Sequence, residues 1–427
     1  MISPLRACAN HRSVMENPLR IFVINSGSSS MKHTLFEMDQ EQVLFSGEIE
    51  RIGLEGSRHT FRTNSNPAQS KDLPVRDIGE ALDEVFSTLL SQGPVSSLDE
   101  IPAVAHRIGH GGKYREAVRI DRDVIDEIRR MTPMIPLHHP AMIIGIEECV
   151  RRMPKAVHCA VFDTWFHWTI PDEAAIYGLP YHYFAERGYR RTGFHGNSHA
   201  YVSAKAAEYL DKPIERLKII TCHLGAGASL CAVDRGRSID TTLGMTAVPG
   251  LIMGSRAGDV DTGLIPIIMK EDNLSPDRMI EMLFKQSGLI GISGVSRDFR
   301  DVDTAAQAGN LRAKLAVAAF CYQVKRAIGS MLMALGRCDA LVFTGGIGQN
   351  SPTVRARVLD GTEDLGFRLD AKKNTQVSLT DTAPVADISA ADSRTRILVV
   401  ETFEELMMAR QCLKVLEGTK QDRIEQQ

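Results

Sequence analysis

Apolar positions along this chain follow two rhythms, one of runs and alternations, the other of every third or fourth residue. Ile21-Phe22-Val23-Ile24 is an unbroken apolar run, the pattern of a strand covered on both faces. It passes through the polar stretch Asn25 to Ser30 into Lys32-His33-Thr34-Leu35-Phe36-Glu37-Met38, which has β-branched and aromatic residues and no helical period. The prediction is strand, polar turn, strand. A polar, glycine-rich connection without a predicted element then runs to about residue 75. Ile78, Leu82, Val85, Phe86 and Leu89 recur at helical spacing and predict an amphipathic helix. Beyond it the pattern predicts a short strand at AVAHR, a helix over Asp123 to Met131, and a strand ending at Ala160-Val161-Phe162. A turn at Asp163 marks the first domain boundary.

The second half opens with an irregular stretch, Thr164 to Asn197, and then repeats the opening theme. KIITCHLGAGASLCAVDRGRSIDTT reads as three strands joined by turns at Gly225-Ala226-Gly227 and Arg235-Gly236-Arg237. A hairpin with a glycine or serine turn thus occurs twice, about 200 residues apart, which suggests two related halves. Helices are predicted at Pro276 to Gln286 and Arg312 to Leu335. In ALVFTGGIGQNSPTVRARVL a buried-type strand meets Gly345-Gly346-Ile347-Gly348, with Ser351 as N-cap and Pro352 at the first helical position. A strand running through glycines into a helix suits a nucleotide, and a plain connection would not need three glycines in four residues.

Composition narrows the partners. With 427 residues and 43% hydrophobic content the chain can hold two or three domains with full-sized cores. A net charge of −3 and a pI near 6.5 argue against nucleic acid or a polybasic membrane attachment, and a small substrate fits better. The eight cysteines form no Cys-x-x-Cys pair and no regular spacing, so the expected setting is the reducing cytoplasm, without a disulfide framework or zinc site. No apolar run approaches the roughly 20 residues of a membrane helix. Residues 1–18 read as a loose extension and 418–427 as a polar tail.

The opening turn matches neither the P-loop nor the dinucleotide fingerprint. Asn25, Ser28, Ser29 and Ser30 nevertheless place donors at a hairpin tip, where an anion can sit, and Lys32 adds a point charge. An ordinary Ser/Gly turn has the same composition. Taken singly, Arg107 reads as a surface ion pair, His138 and His223 as satisfied structural histidines, and Asp163 as a cap.

Ten stretches, in order, are more specific: INSGSSSMK, HRIGHGG, PLHHPA, AVFDTWFH, RRTGFHGNSH, HLGAGAS, GSRAGDVDTG, GISGVSRDFRDV, TGGIGQNS and ETFEELMMAR. Together, from about Arg20 to Arg410, they resemble the acetate kinase family, short-chain carboxylate kinases of the sugar kinase, chaperone and actin superfamily. The resemblance implies an α/β protein with the two-domain actin-like ATPase (ribonuclease H-like) fold, each domain a mixed sheet flanked by helices. The first domain would span 19–163, joined by a C-terminal helix over 404–417. The second would span 164–403, bind the nucleotide and form a homodimer. The implied reaction is reversible in-line transfer of the γ-phosphoryl of ATP to acetate, giving acetyl phosphate and ADP, with Mg²⁺ or Mn²⁺ as cofactor.

The same resemblance assigns residues. Arg107, Asp163, His195 and Arg256 are the implied catalytic group. Arg107, Gly109, Leu137 and Ala247 would bind the acyl group. Phosphates and nucleotide would meet Asn25, Ser28, Ser30, Lys32, His138, His223, Gly225, Gly227, Asp298, Phe299, Arg300, Gly346 and Asn350. Asp163 and Glu404, with Asn25, match the metal-holding positions. A carboxylate acceptor has a pKa of about 4 to 5 and is already an anion at neutral pH, so cations and donors matter more than a general base.

Five positions depart from the family pattern. Gly109 stands where an apolar residue is usual and Ala247 where proline is, so the pocket for the substrate methyl is enlarged and propionate joins acetate as an expected substrate. Ala226, His139 and Phe403 each replace an asparagine. Propionate kinase is therefore one alternative reading, and a non-kinase actin-like ATPase is another. The second would not need two arginines and three histidines in one site.

Overall fold

The apolar run at the start of the chain is the central strand of a sheet. Residues 18–64, 66–136, 138–380 and 382–425 are described by the computed structural model, so the expectations for residues 1–17 and for Leu137 lie outside the described residues. The chain divides into two compact units, one drawn from Met1–Ile108, Gly112–Phe162 and Met408–Gln427, the other from Gly109–Gly111 and Asp163–Met407.

In the first unit, β1 (Arg20–Ser26) and β2 (Ser30–Glu37) form the predicted hairpin. The others are β3 (Gln42–Glu50), β4 (Arg58–Thr63), β5 (Asn66–Asp72), β6 (Ala103–Ile108), β7 (Val118–Arg119) and β8 (Val157–Phe162). Their order is β5-β4-β3-β2-β1-β6-β8-β7. Strand β1 pairs antiparallel with β2 and parallel with β6. Residues 21–24 are buried throughout because the sheet has a core on each face. Phe22 and Ile24 pack with Leu82, Val85, Phe86 and Leu89 of the helix Ile78–Gln92. Asp77 caps that helix by accepting from the Glu80 amide at 2.9 Å. Ile108, Ala160 and Phe162 meet Val124 and Ile128 of the helix Arg122–Arg130 in a second cluster.

In the second unit, β9 (Lys218–Leu224), β10 (Ala228–Asp234) and β11 (Arg237–Thr241) are the three predicted strands. With β12 (Ala340–Thr344), β13 (Val385–Asp387) and β14 (Arg396–Val400) they make the order β11-β10-β9-β12-β14-β13. In each sheet three antiparallel strands lead into two parallel ones, β3-β2-β1-β6-β8 in one and β11-β10-β9-β12-β14 in the other. The twin hairpins of the sequence are therefore the same pieces of two copies of one topology, that of the actin-like ATPase fold.

Several elements were not predicted. The glycine-rich connection before residue 75 contains β3, β4 and β5. Strand β5 has every residue exposed and so carries no apolar signal. The helix His139–Arg152 begins with Pro140 in its first turn, where a missing N–H costs nothing, and buries Met142, Ile146 and Cys149. The helix Gly196–Tyr209 buries every residue from Gly196 to Ser203 and so shows no one-sided stripe. The predicted helix from Pro276 is α-helical to Glu281 and continues as one wide turn to Gln286. The final helix runs Glu404–Glu425, beyond the point where a polar tail was expected. Arg410, within it, donates from Nε and Nη2 to the two carboxylate oxygens of Glu41 at 2.7 and 2.6 Å.

Candidate active site

The candidate residues divide between the two units, and each set is built separately. In the first unit the β1–β2 register puts Asn25 opposite Lys32, with the Gly27 amide donating to the Ser30 carbonyl at 2.8 Å to close the turn. Ser28 is exposed at the tip and Ser30 opens β2. Lys32 lies 4.0 Å from Glu48, its neighbour across β3, and stays half exposed. Arg107, near the end of β6, donates from Nη1 to Asn25 Oδ1 at 3.3 Å. The hairpin and Arg107 thus form one group of donors. The amide oxygen of Asn25 has a second lone pair beyond the one facing the guanidinium, so it can join the carboxylates Asp163 and Glu404 as an oxygen donor. His138 precedes the helix His139–Arg152 as its N-cap. His139 is buried, with Nδ1 at 2.9 Å from the Ile128 carbonyl, and burial lowers its pKa to about 4. It is a neutral core histidine, so this departure from the family pattern serves packing.

The second unit gathers the larger set. Asp163 follows β8 and is buried, receiving Asn197 Nδ2 at 3.3 Å. Trp165 Nε1 in turn donates to Asn197 Oδ1 at 2.9 Å, which fixes the amide's orientation. His195 takes left-handed backbone geometry, φ 58°, immediately before the helix Gly196–Tyr209. Gly196 permits this close approach, since a Cβ there would lie 2.4 Å from the Asp163 carbonyl oxygen. The rings of His195 and His223 stack with centroids 4.3 Å apart.

The turn after β9 completes the cradle. At Gly227 an added Cβ would stand 3.0 Å from Arg256 Nη2 and 3.1 Å from His195 Nε2. The missing side chain leaves room for about one atom that both groups reach. Gly225 lies beside the third turn, its Cβ position 3.8 Å from the Gly346 amide nitrogen. Arg256 also donates from Nη1 to the Ala247 carbonyl at 2.9 Å, which ties the predicted acyl-pocket residue to the cationic one. Gly109 is buried and belongs to this unit's short segment Gly109–Gly111.

The glycines of the third turn open the helix Gly345–Asn350, with Gly345 itself at φ 74°, and Ser351 caps the next helix by accepting from the Val354 amide at 3.2 Å. Asn350 Nδ2 donates to the Gly346 carbonyl at 2.9 Å. Asp298 caps the helix Phe299–Gln307 and pairs with the exposed Arg300 at 2.6 Å. Phe299 turns inward, its ring 5.8 Å from that of Phe320, so of this predicted trio only Asp298 and Arg300 lie towards the surface.

A layer of hydroxyls behind the histidines was not predicted. Thr402 donates to Ser198 Oγ at 2.9 Å, and Ser198 lies 2.8 Å from His223 Nδ1. Ser198 thus links Thr402 to the Nδ1 edge of His223. Glu404 Oε1 is 4.0 Å from the same Nδ1. The spacing of His199, four residues after His195 and so on the same helical face, was the one available signal for the layer. Asp163 and Glu404 are the hard oxygen donors that suit a divalent cation carried mainly by phosphates. Another cluster of ligating side chains, His106, Cys149 and His158, lies in the first unit's core. There His106 Nε2 and His158 Nδ1 share a 3.0 Å hydrogen bond and His158 Nε2 meets the Met153 carbonyl, so the cluster is satisfied internally.

Comparison with known proteins gives the family. The model of the acetokinase family matches residues 20–410. An acetate kinase of Dictyoglomus turgidum is 44% identical over 401 residues, covering 93% of this chain and 98% of that protein. A crystal structure of Porphyromonas gingivalis acetate kinase aligns with a TM-score of 0.83 at 38% identity, over 93% of this chain and all of the other. A propionate kinase from Francisella tularensis aligns with a TM-score of 0.85 at 35% identity and the same coverage of this chain. Carboxylate kinases of this kind imply ATP as phosphoryl donor and a divalent metal. The match runs through every segment that supplies the cradle, and the chain belongs to the acetokinase family.

Proposed function

We propose that this protein transfers the γ-phosphoryl group of ATP to acetate, with Mg²⁺ or Mn²⁺ accompanying the nucleotide. The observation that carries the reading is the cradle at Gly227, where Arg256 Nη2 and His195 Nε2 converge on one point. The carboxylate oxygen attacks the γ-phosphorus, the bond from phosphorus to the β,γ-bridging oxygen breaks, and ADP departs with that electron pair. No proton has to be removed from the acid. The protein's work is to hold two anions in line, which Arg107 does for the carboxylate, and Arg256, His195 and His223 do for the phosphoryl oxygens. Asp163 and Glu404 would hold the metal, which would supply charge neutralisation on the phosphates. Asn25, Ser28, Ser30, Lys32 and His138 serve as further phosphate donors. The third turn, with Gly346 and Asn350, and the Asp298–Arg300 pair serve the nucleoside.

The test is acyl phosphate trapping with hydroxylamine at fixed Mg-ATP, comparing acetate, propionate and butyrate. Acetyl hydroxamate formation is expected; no reaction with any acid would return the ATPase reading. Gly109 and Ala247 are smaller than the residues usual at these positions, so propionate is expected as a second substrate, and a propionate kinase shares the fold closely. Gly109→Val should lower kcat/KM for propionate relative to acetate by about tenfold, since a methylene's worth of space carries about 1 to 3 kcal/mol. An unchanged ratio would remove Gly109 from the acyl pocket.

We also assign nucleotide binding and a homodimer contact to the second unit. The helix Leu264–Glu271 supports the dimer, because none of its residues is buried although Leu264, Ile267 and neighbouring side chains are apolar. Sedimentation should give twice the chain mass, and Ile267→Glu should halve it; a monomeric unaltered protein rejects the assignment. Unpaired cysteines at all seven described positions fit a cytoplasmic setting.

A further inference from the structure

Behind His195 the second unit holds a chain of buried groups in which each member has one proton to give. Ser229 Oγ lies 2.8 Å from His195 Nδ1 and 2.8 Å from His199 Nε2. On the far side of the His199 ring, Nδ1 lies 2.7 Å from Thr221 Oγ1, and the Thr221 hydroxyl donates to the Cys231 carbonyl at 3.5 Å. Ser229, His199 and Thr221 are fully buried, which leaves them to satisfy one another.

A hydroxyl carries one proton, and a neutral imidazole carries one N–H. Burial, with His167 and His223 nearby, holds the pKa of His199 well below its ordinary value, so the ring is neutral. The chain therefore has a direction, and one fixed link fixes the others. A carbonyl can only accept. With Thr221 giving its proton to Cys231, Thr221 accepts from Nδ1–H of His199. The bare Nε2 of His199 then accepts from Ser229, and Ser229 accepts from Nδ1–H of His195. The opposite direction forgoes the bond to Cys231 and makes one bond fewer.

We propose that Thr221 and His199 are positioning residues that act through Ser229 to keep the proton of neutral His195 on Nδ1, so that His195 offers a donor at Nε2 only as imidazolium. Nε2 is the atom that faces the Gly227 cradle beside Arg256. A neutral ring would turn a lone pair towards an anionic oxygen there, whereas the imidazolium turns an N–H and a full charge. His223, stacked on the same ring, meets a different hydroxyl, Ser198, at its Nδ1. The identity of the anion rests on the proposed function; the direction of the chain is a property of the protein without substrate.

The experiment is histidine-selective ¹⁵N labelling of the whole protein, with His195 assigned through His195→Gln, reading which nitrogen is bare in the neutral ring. The bare nitrogen is expected at Nε2 in the unaltered protein and in Thr221→Ser. It is expected at Nδ1 in Thr221→Val, where His199 loses the acceptor for its Nδ1 proton and every link reverses. That reversal should lower kcat by about tenfold and leave KM for ATP and acid within about twofold. A bare Nδ1 in the unaltered protein overturns the proposal, and so does a folded Thr221→Val that keeps Nε2 bare. If Thr221→Val does not fold, the unaltered protein decides alone. Absence of acyl phosphate in the trapping assay would reject the kinase reading and leave the tautomer result standing.

Discussion

Arg256→Ala is expected to lower kcat/KM for acyl phosphate formation by about 10³-fold with the fold intact, and Arg107→Ala to do the same. On the proposed function each removes a cationic donor that meets charge in the transition state, and losing one such donor from a water-poor site costs about 3 to 4 kcal/mol. Arg256 is only partly buried, and its side chain bonds to a loop carbonyl, Ala247, so truncation leaves the sheets untouched. Arg107 holds Asn25 across the first hairpin, and its loss frees that amide as well. Steady-state kinetics with hydroxylamine trapping, alongside circular dichroism, gives the answer. Turnover within tenfold of the unaltered protein in either variant would remove that arginine from the reacting group.

Gly288→Ala is expected to destabilise the second unit by about 3 kcal/mol or more and to abolish activity. Gly288 has φ 64°, and a Cβ there would stand 2.2 Å from the Met253 carbonyl oxygen and 2.6 Å from that of Arg256. Backbone atoms cannot yield as a side chain does, so left-handed strain and overlap add. The same contact is a clamp. The Leu289 and Ser287 amides donate to the Met253 and Ser255 carbonyls at 2.8 and 3.1 Å, which holds the loop that aims Arg256. Gly309→Ala separates the two effects, for Gly309 has φ 99° with nothing within 4 Å of its Cβ position. It should cost about 1 kcal/mol and leave activity alone. Thermal unfolding that shows Gly288→Ala no worse than Gly309→Ala would reject the clamp.

Much of this architecture is legible in the chain because burial on both faces leaves continuous apolar strings. Residues 21–24 announce β1, and the repeat of hairpin and turn announces that the second sheet copies the first. Elements escape notice where burial is uniform or absent. The helix Gly196–Tyr209 is covered on all sides at its start, and β5 on none. The site splits in the same way. Arg107, His195 and Arg256 sit in local motifs with glycines beside them, so neighbouring residues identify them. Ser229 and Thr221 are small hydroxyls that meet their histidines from other strands, 34 and 22 residues away along the chain, and Thr402 reaches Ser198 from 204 residues away. Only the fold brings them together. Phe299 shows the reverse limit, since its motif places it in a nucleotide loop while its side chain packs in the core.

Among the described residues, strand β5 ends the first sheet, paired with β4 alone, and all seven of its residues are exposed. A bare row of amides and carbonyls at the end of so long a sheet is a template on which another chain's strand can add. Pro67 removes one donor from that row, and Lys71 with Asp72 adds charge that a docking strand would have to bury. The polar composition that hides β5 from sequence reading thus protects the protein against edge-to-edge aggregation at high concentration.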